Sequence, residues 1–131
     1  MNQIEQKRTM ITLLKQVNDD LCTYGYWLSE QDIQQLRKTQ KEAYQANGMI
    51  DFDVHIIFDL ARCFATSPYL KIDTFLFCIK QVLYLYYALR KILRNLYDDE
   101  LVELIYHCYL EQHGVIDSTL YQYCVQKGRA I

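Results

Sequence analysis

Residues 72–94 read IDTFLFCIKQVLYLYYALRKILR and contain the most apolar run of the chain. From Phe75 to Leu89 the residues are apolar nearly all round a helix. Such a helix is buried on every side. The apolar stretch is shorter than the roughly 20 residues a bilayer span requires, and it carries Lys80 and Gln81. It is therefore predicted as a central core helix over 74–94 rather than a membrane segment. Arg90, Lys91 and Arg94 fall in its last turns, where cations complement the helix dipole.

Along the rest of the chain the punctuation repeats. Glycines follow Tyr24, Asn47, His113 and Lys127, each where an apolar-periodic segment runs out. Glycine there can take the left-handed conformation that closes a helix. The single proline, Pro68, follows another such segment, and Asn95 is expected to close the central helix as a glycine would. Five starts share one grammar: Leu28-Ser29…Ile33, Phe52-Asp53…Ile57, Ile72-Asp73…Phe77, Tyr97-Asp98…Val102 and Ile116-Asp117…Tyr121. In each, Ser or Asp is placed to accept the orphan N–H groups of a first turn, and the flanking apolar pair forms a hydrophobic staple.

These signals predict helices near 3–24, 30–47, 54–66, 74–94, 99–113 and 118–127, joined by short loops that favour antiparallel neighbours. The second is the most polar, with Ile33, Leu36, Ala43 and Tyr44 as its stripe, and is expected at the surface. No internal repeat is seen. The expected fold is an all-α, compact bundle of about six helices in one domain, 1–131. That length buries enough surface to need neither disulfide nor metal. With Gly 4 and Pro 1, turn-rich all-β architectures are disfavoured.

A formal net charge of −2 leaves no basic excess for nucleic acid. The five cysteines are odd in number and widely spaced, without CxxC, and MNQIEQKRT lacks an apolar signal region. Both point to the cytoplasm and to reduced, mostly buried thiols.

Candidate chemistry is sparse. His55, Asp59 and Arg62 share a helical face at i, i+4 and i+7, which suits an acid–base pair or a phosphate contact, and equally a solvated ion-paired face. His107 and Cys108 are sequence neighbours and point apart. Asp98, Asp99, Glu100 and Glu103 lie where a helix start favours acids in any case. No metal-ligand spacing or phosphate loop is present, so no metal or cofactor is expected. Tyrosine is the outlier at 12 residues. Tyr84, Tyr86, Tyr87, Tyr106 and Tyr109 are candidates for an interaction surface, or for rings at the core's edge with wet hydroxyls. Trp27 is an exposed anchor or a lid on the core, with the lid preferred.

The chain resembles an uncharacterised family of short helical bacterial proteins, mainly from Firmicutes, classed as a domain of unknown function. The resemblance rests on Tyr24-Gly25 with Leu28-Ser29, on residues 48–52 (GMIDF), on residues 64–70 (FATSPYL) and on residues 98–101 (DDEL), in order across about residues 20–125. The family pattern favours Arg at Met49, Gly at Asp53 and Asp at Thr66, where this chain departs. The resemblance implies the fold and brings no activity, substrate or cofactor.

The expected function is a non-enzymatic cytosolic protein-interaction module with a protein partner or self-association. A small enzyme or ligand-binding protein using His55, Asp59 and Arg62 is the alternative. A nucleic-acid regulator using the basic end of the central helix is the third.

Overall fold

The computed structural model describes residues 3–49 and 54–131, with side chains for all of these except residues 3 and 5–7. The Phe52-Asp53…Ile57 start and the middle of the 48–52 stretch therefore lie outside the described residues. The described chain is all-helical: α1 (Gln3–Leu21), α2 (Glu30–Ala46), α3 (His55–Ala65), α4 (Phe75–Ile92), α5 (Asp98–Glu111) and α6 (Ser118–Arg129). Short 3-10 turns follow α1 (Cys22–Tyr24) and precede α4 (Ile72–Thr74).

Several boundaries form by the chemistry expected of them. At α2, Asp32 N donates to Ser29 Oγ (3.0 Å) and Ser29 N to Asp32 Oδ2 (2.9 Å), a reciprocal capping box. At α6, Leu120 N donates to Asp117 Oδ1 (3.1 Å). Gly25 and Gly114 take positive φ after their helices.

Other boundaries differ. Asp98 is not the cap of α5 but its first residue. Tyr97 precedes it, with its N–H held by Glu100 Oε1 at 2.8 Å. Asp73 sits inside the 3-10 turn, and α4 starts at Phe75 without a side-chain cap. Asn95 does not close α4, because the helix ends at Ile92, and Arg94 Nε donates to the Lys91 carbonyl (3.1 Å). Gly128 is not a stop. It lies within α6, buried, and a Cβ there would sit 2.5 Å from Leu93 Cδ1. Its lack of a side chain serves close packing rather than a turn.

The six helices form two rows. Helices α1, α3 and α5 lie side by side in one row, α2, α4 and α6 in the other, and α3–α4 and α5–α6 pack across. Within a row the register is parallel where side chains report it. Gln35 and Gln40 of α2 reach Lys80 and Tyr87 of α4. Phe64 lies against Tyr106, and Ser67 just past α3 meets Tyr109 of α5. Helices α5 and α6 are antiparallel: Glu111 meets Tyr123, and Leu104 lies against Gly128. The result is three stacked helical hairpins, a repeat-like arrangement without a sequence repeat.

Helix α4 is the shared core element, touching α2, α3, α5 and α6. The apolar segment runs further than expected, over Ile72–Ile92, and by length and composition alone it would reach across a membrane. In this fold Ile79, Val82, Leu83 and Leu89 are fully buried within a single apolar cluster.

Candidate functional site

His55 is the first residue of α3 and is exposed. Arg62, near the end of α3, donates from Nε to Asp20 Oδ2 of α1 at 2.8 Å, and its Nη1 stands 3.9 Å from Asp59 Oδ1. Asp59 and Arg62 line a shallow groove of about 350 Å³ between α3 and α5, together with Cys63, Asp99, Val102 and Glu103. His55 does not line it. The fold thus brings Asp59 and Arg62 to the acids that open α5, which are remote in sequence. Burial, then Glu103 and Asp59, pushes the Cys63 thiol up to about 11. A thiol so held stays protonated at neutral pH and is a poor nucleophile. Arg62 acts as a strut between α1 and α3.

Among the described residues, no three His, Cys, Asp or Glu side chains assemble into a metal-holding group. His107 is exposed while the adjacent Cys108 is buried, so the two point apart. Cys108 and Cys124 pair across α5 and α6. The Cys124 thiol is pushed up by the Cys108 contact and by burial, and the Cys108 thiol is lowered by the same hydrogen bond.

The tyrosines are mostly internal. Tyr86, Tyr87 and Tyr109 are buried and Tyr106 is half-buried, so these residues do not form an open interaction surface. Their hydroxyls are not simply wet. Tyr86 donates to Asp98 Oδ1 (2.9 Å), and Tyr87 accepts from Gln40 Nε2 (2.8 Å). Tyr109 shares a hydrogen bond with Ser67 Oγ (2.8 Å), and Tyr106 one with Thr66 Oγ1 (2.7 Å). Tyr26 donates to the Leu70 carbonyl at 3.1 Å. Rings fill volume while hydroxyls tie helices and pin the loop after α3, which accounts for much of the tyrosine excess. Burial and Asp98 push the Tyr86 phenol up; burial pushes Tyr109 up to about 12 against the lowering effect of the Ser67 bond.

The exposed aromatics are elsewhere. Trp27 is 67% exposed and is not a lid. Its neighbour Tyr26 stacks on Phe75 with centroids 4.3 Å apart, which sets the Trp27 loop beside the start of α4. Ile72 and Phe77, the latter 63% exposed, belong to the same region. One α4 face continues from Phe77 to Tyr84 at i+7, where Tyr84 is partly exposed and donates to Glu42 Oε2 of α2 (3.0 Å). Of the five tyrosines expected at a surface, Tyr84 alone is open. Ile72 and Phe77, expected as the apolar pair of a hydrophobic staple, are both open instead, and a helix apolar on all sides has no periodicity to mark its open face.

At the other end of α4, Arg90 Nε stands 3.7 Å from Asp98 Oδ1 and Arg94 is turned onto the Lys91 carbonyl. Two of the three cations considered for a nucleic-acid contact are thereby engaged within the fold.

A family model described as "Family of unknown function (DUF6323)" matches residues 13–127. Neither the curated proteins nor the solved structures provide a significant match.

Proposed function

The chain belongs to the DUF6323 family, and on that premise we propose that it is a non-enzymatic, cytosolic protein-interaction module. Its working surface in this proposal is the start of α4 with the adjoining Trp27 loop. The observation that carries it is that Trp27 and Phe77 are both exposed, and that Tyr26, next to Trp27, stacks on Phe75 at the start of α4. Large aromatics exposed to solvent are typical anchors of protein interfaces, where a few such residues supply most of the affinity. Five free cysteines fit a reducing compartment. The bacterial origin implied by the resemblance belongs to the same proposal.

The test compares three forms of the protein in quantitative affinity enrichment from host extract. They are the wild type, Trp27→Ser with Phe77→Ser, and a control, Asp99→Asn with Glu103→Gln, in the α3–α5 groove. Partners are expected on the wild type and the control. They should weaken on the aromatic variant by tenfold or more, which is about 1.4 kcal/mol. The same partner set recovered equally by all three would sink the proposal.

A further inference from the structure

The two rows leave a second open feature at the opposite end of α4. A groove of about 580 Å³ runs between α4 and α6, lined by Ile92, Tyr121, Gln122, Val125, Gln126 and Arg129. On α6, Tyr121, Val125 and Arg129 follow one another at i, i+4 and i+8, so an apolar strip ends on a guanidinium. Gln122 and Gln126 form a parallel strip of amides. Ile92 supplies the facing wall and is itself 37% exposed.

Gly128 sets how closely the ends of α4 and α6 approach. With no side chain it lets α6 close on Leu93, so the C-terminal turns of α4 and α6 meet. Cations from both helices gather there. Most are already engaged: Arg90 faces Asp98, Arg94 is turned onto the Lys91 carbonyl, and Lys127 lies 5.3 Å from the centre of the Tyr123 ring. Arg129 lines the groove, Lys91 precedes the lining residue Ile92 on α4, and neither is in an ion pair among the described residues. Among the described residues no carboxylate lines the groove. The helix dipole explains cations in a last turn. It does not explain why they stand at the end of an open apolar strip.

Resting on the interaction reading above, we propose that this groove binds an acidic peptide segment of a partner protein. Its apolar side chains would seat on Ile92, Tyr121 and Val125, and its carboxylate would meet Arg129 and Lys91. The amides choose polypeptide over other anions. Gln122 and Gln126 each offer both a donor and an acceptor, which matches peptide N–H and C=O groups. A phosphodiester presents acceptors alone. The charges set orientation and encounter rate, and the apolar strip sets residence time.

The test is selection of a random-peptide display library on the intact protein, followed by anisotropy titration of the enriched peptides. The expected consensus is apolar residues flanked by Asp or Glu. Binding should weaken at least tenfold in Lys91→Glu with Arg129→Glu, and also in Val125→Ser. It should weaken with added salt, and it should be unchanged in Trp27→Ser with Phe77→Ser. Circular dichroism checks that each variant is folded, and both charge substitutions are at exposed positions. The proposal is overturned if no acidic consensus emerges. It is equally overturned if the enriched peptides bind the charge-reversed variant as tightly as wild type. A dimer that Val125→Ser dissolves, with no peptide enriched, would place a second copy in the groove instead. Preferential binding of anionic vesicles would place a membrane there. Any of these outcomes would leave the Trp27–Phe77 interface standing, because its own test does not involve α6.

Discussion

Asn18 holds the Leu28 peptide by both ends of its amide: Nδ2 donates to the Leu28 carbonyl and Oδ1 accepts the Leu28 N–H, each at 2.8 Å. Both residues are buried, and the pair joins α1 to the chain entering α2. Asn18→Ala should destabilise the protein by about 3 kcal/mol, because a buried N–H and a buried C=O both lose their partner. Urea unfolding should show a lower midpoint with an unchanged m value. A midpoint within error of wild type would mean that water replaces the amide.

Gly128→Ala puts a methyl 2.5 Å from Leu93 Cδ1 and 3.1 Å from Leu104 Cδ2. On an open helix the exchange would stabilise by about 1 kcal/mol. Here overpacking wins, and a net loss of about 1–3 kcal/mol is expected. Leu93→Ala should cost less in the Gly128→Ala background than in wild type, and a double-mutant cycle by thermal melts measures that coupling. A stabilised single variant would show that the α4–α6 contact yields freely.

Maleimide should label one thiol of the native protein rapidly, Cys22, which is the exposed cysteine. Cys63 is half-buried with its thiol pushed up to about 11, so it should lag well behind at pH 7.5. Cys78, Cys108 and Cys124 are buried and should react only on unfolding. Mass spectrometry of timed samples checks the order. Early labelling of Cys124 would contradict the packing of α5 against α6.

Base should unfold the protein. Burial raises the Cys78 thiol from 9.0 to about 12, and the Tyr109 phenol from 10.0 to about 12. Between those values the folded state keeps protons that the unfolded chain has released, so stability falls as pH rises. The contribution is complete below about pH 9 and is lost by about pH 12. Melting temperatures should hold steady up to pH 8 and drop across that window. Tyr109→Phe should drop less steeply there, although it starts lower for want of the Ser67 bond.

What the sequence displayed well was local. Ser29 with Asp32, Asp117 and Gly25 act within a few residues of themselves, so their chemistry is readable from neighbours alone. Gly128 looks identical in sequence to Gly25, yet its reason is Leu93, just past the end of α4. Asp98 carries a cap's signature, but the Tyr86 hydroxyl and Arg90 are set against it by the fold. Asn18 and Gln40 are polar, yet each is buried and hydrogen-bonded to a partner outside its own helix, which their neighbours in sequence do not reveal. The candidate surface was half legible. Trp27 and Tyr84 were named, whereas Phe77 and the α6 strip depend on which sides of α4 and α6 other helices cover.

The parallel register of α2 on α4 has a consequence for how the chain is made. The residues that meet, Gln35 with Lys80 and Gln40 with Tyr87, are separated by 45 and 47 positions. During synthesis α2 therefore leaves the ribosome well before the helix that covers Ile33, Leu36 and Ala43 exists. Those side chains must wait in a nascent chain whose first hairpin has no wall to close against. Helix α3 can fold back on α4 as soon as both are made, which makes that hairpin the natural seed, with α2 docking onto it afterwards.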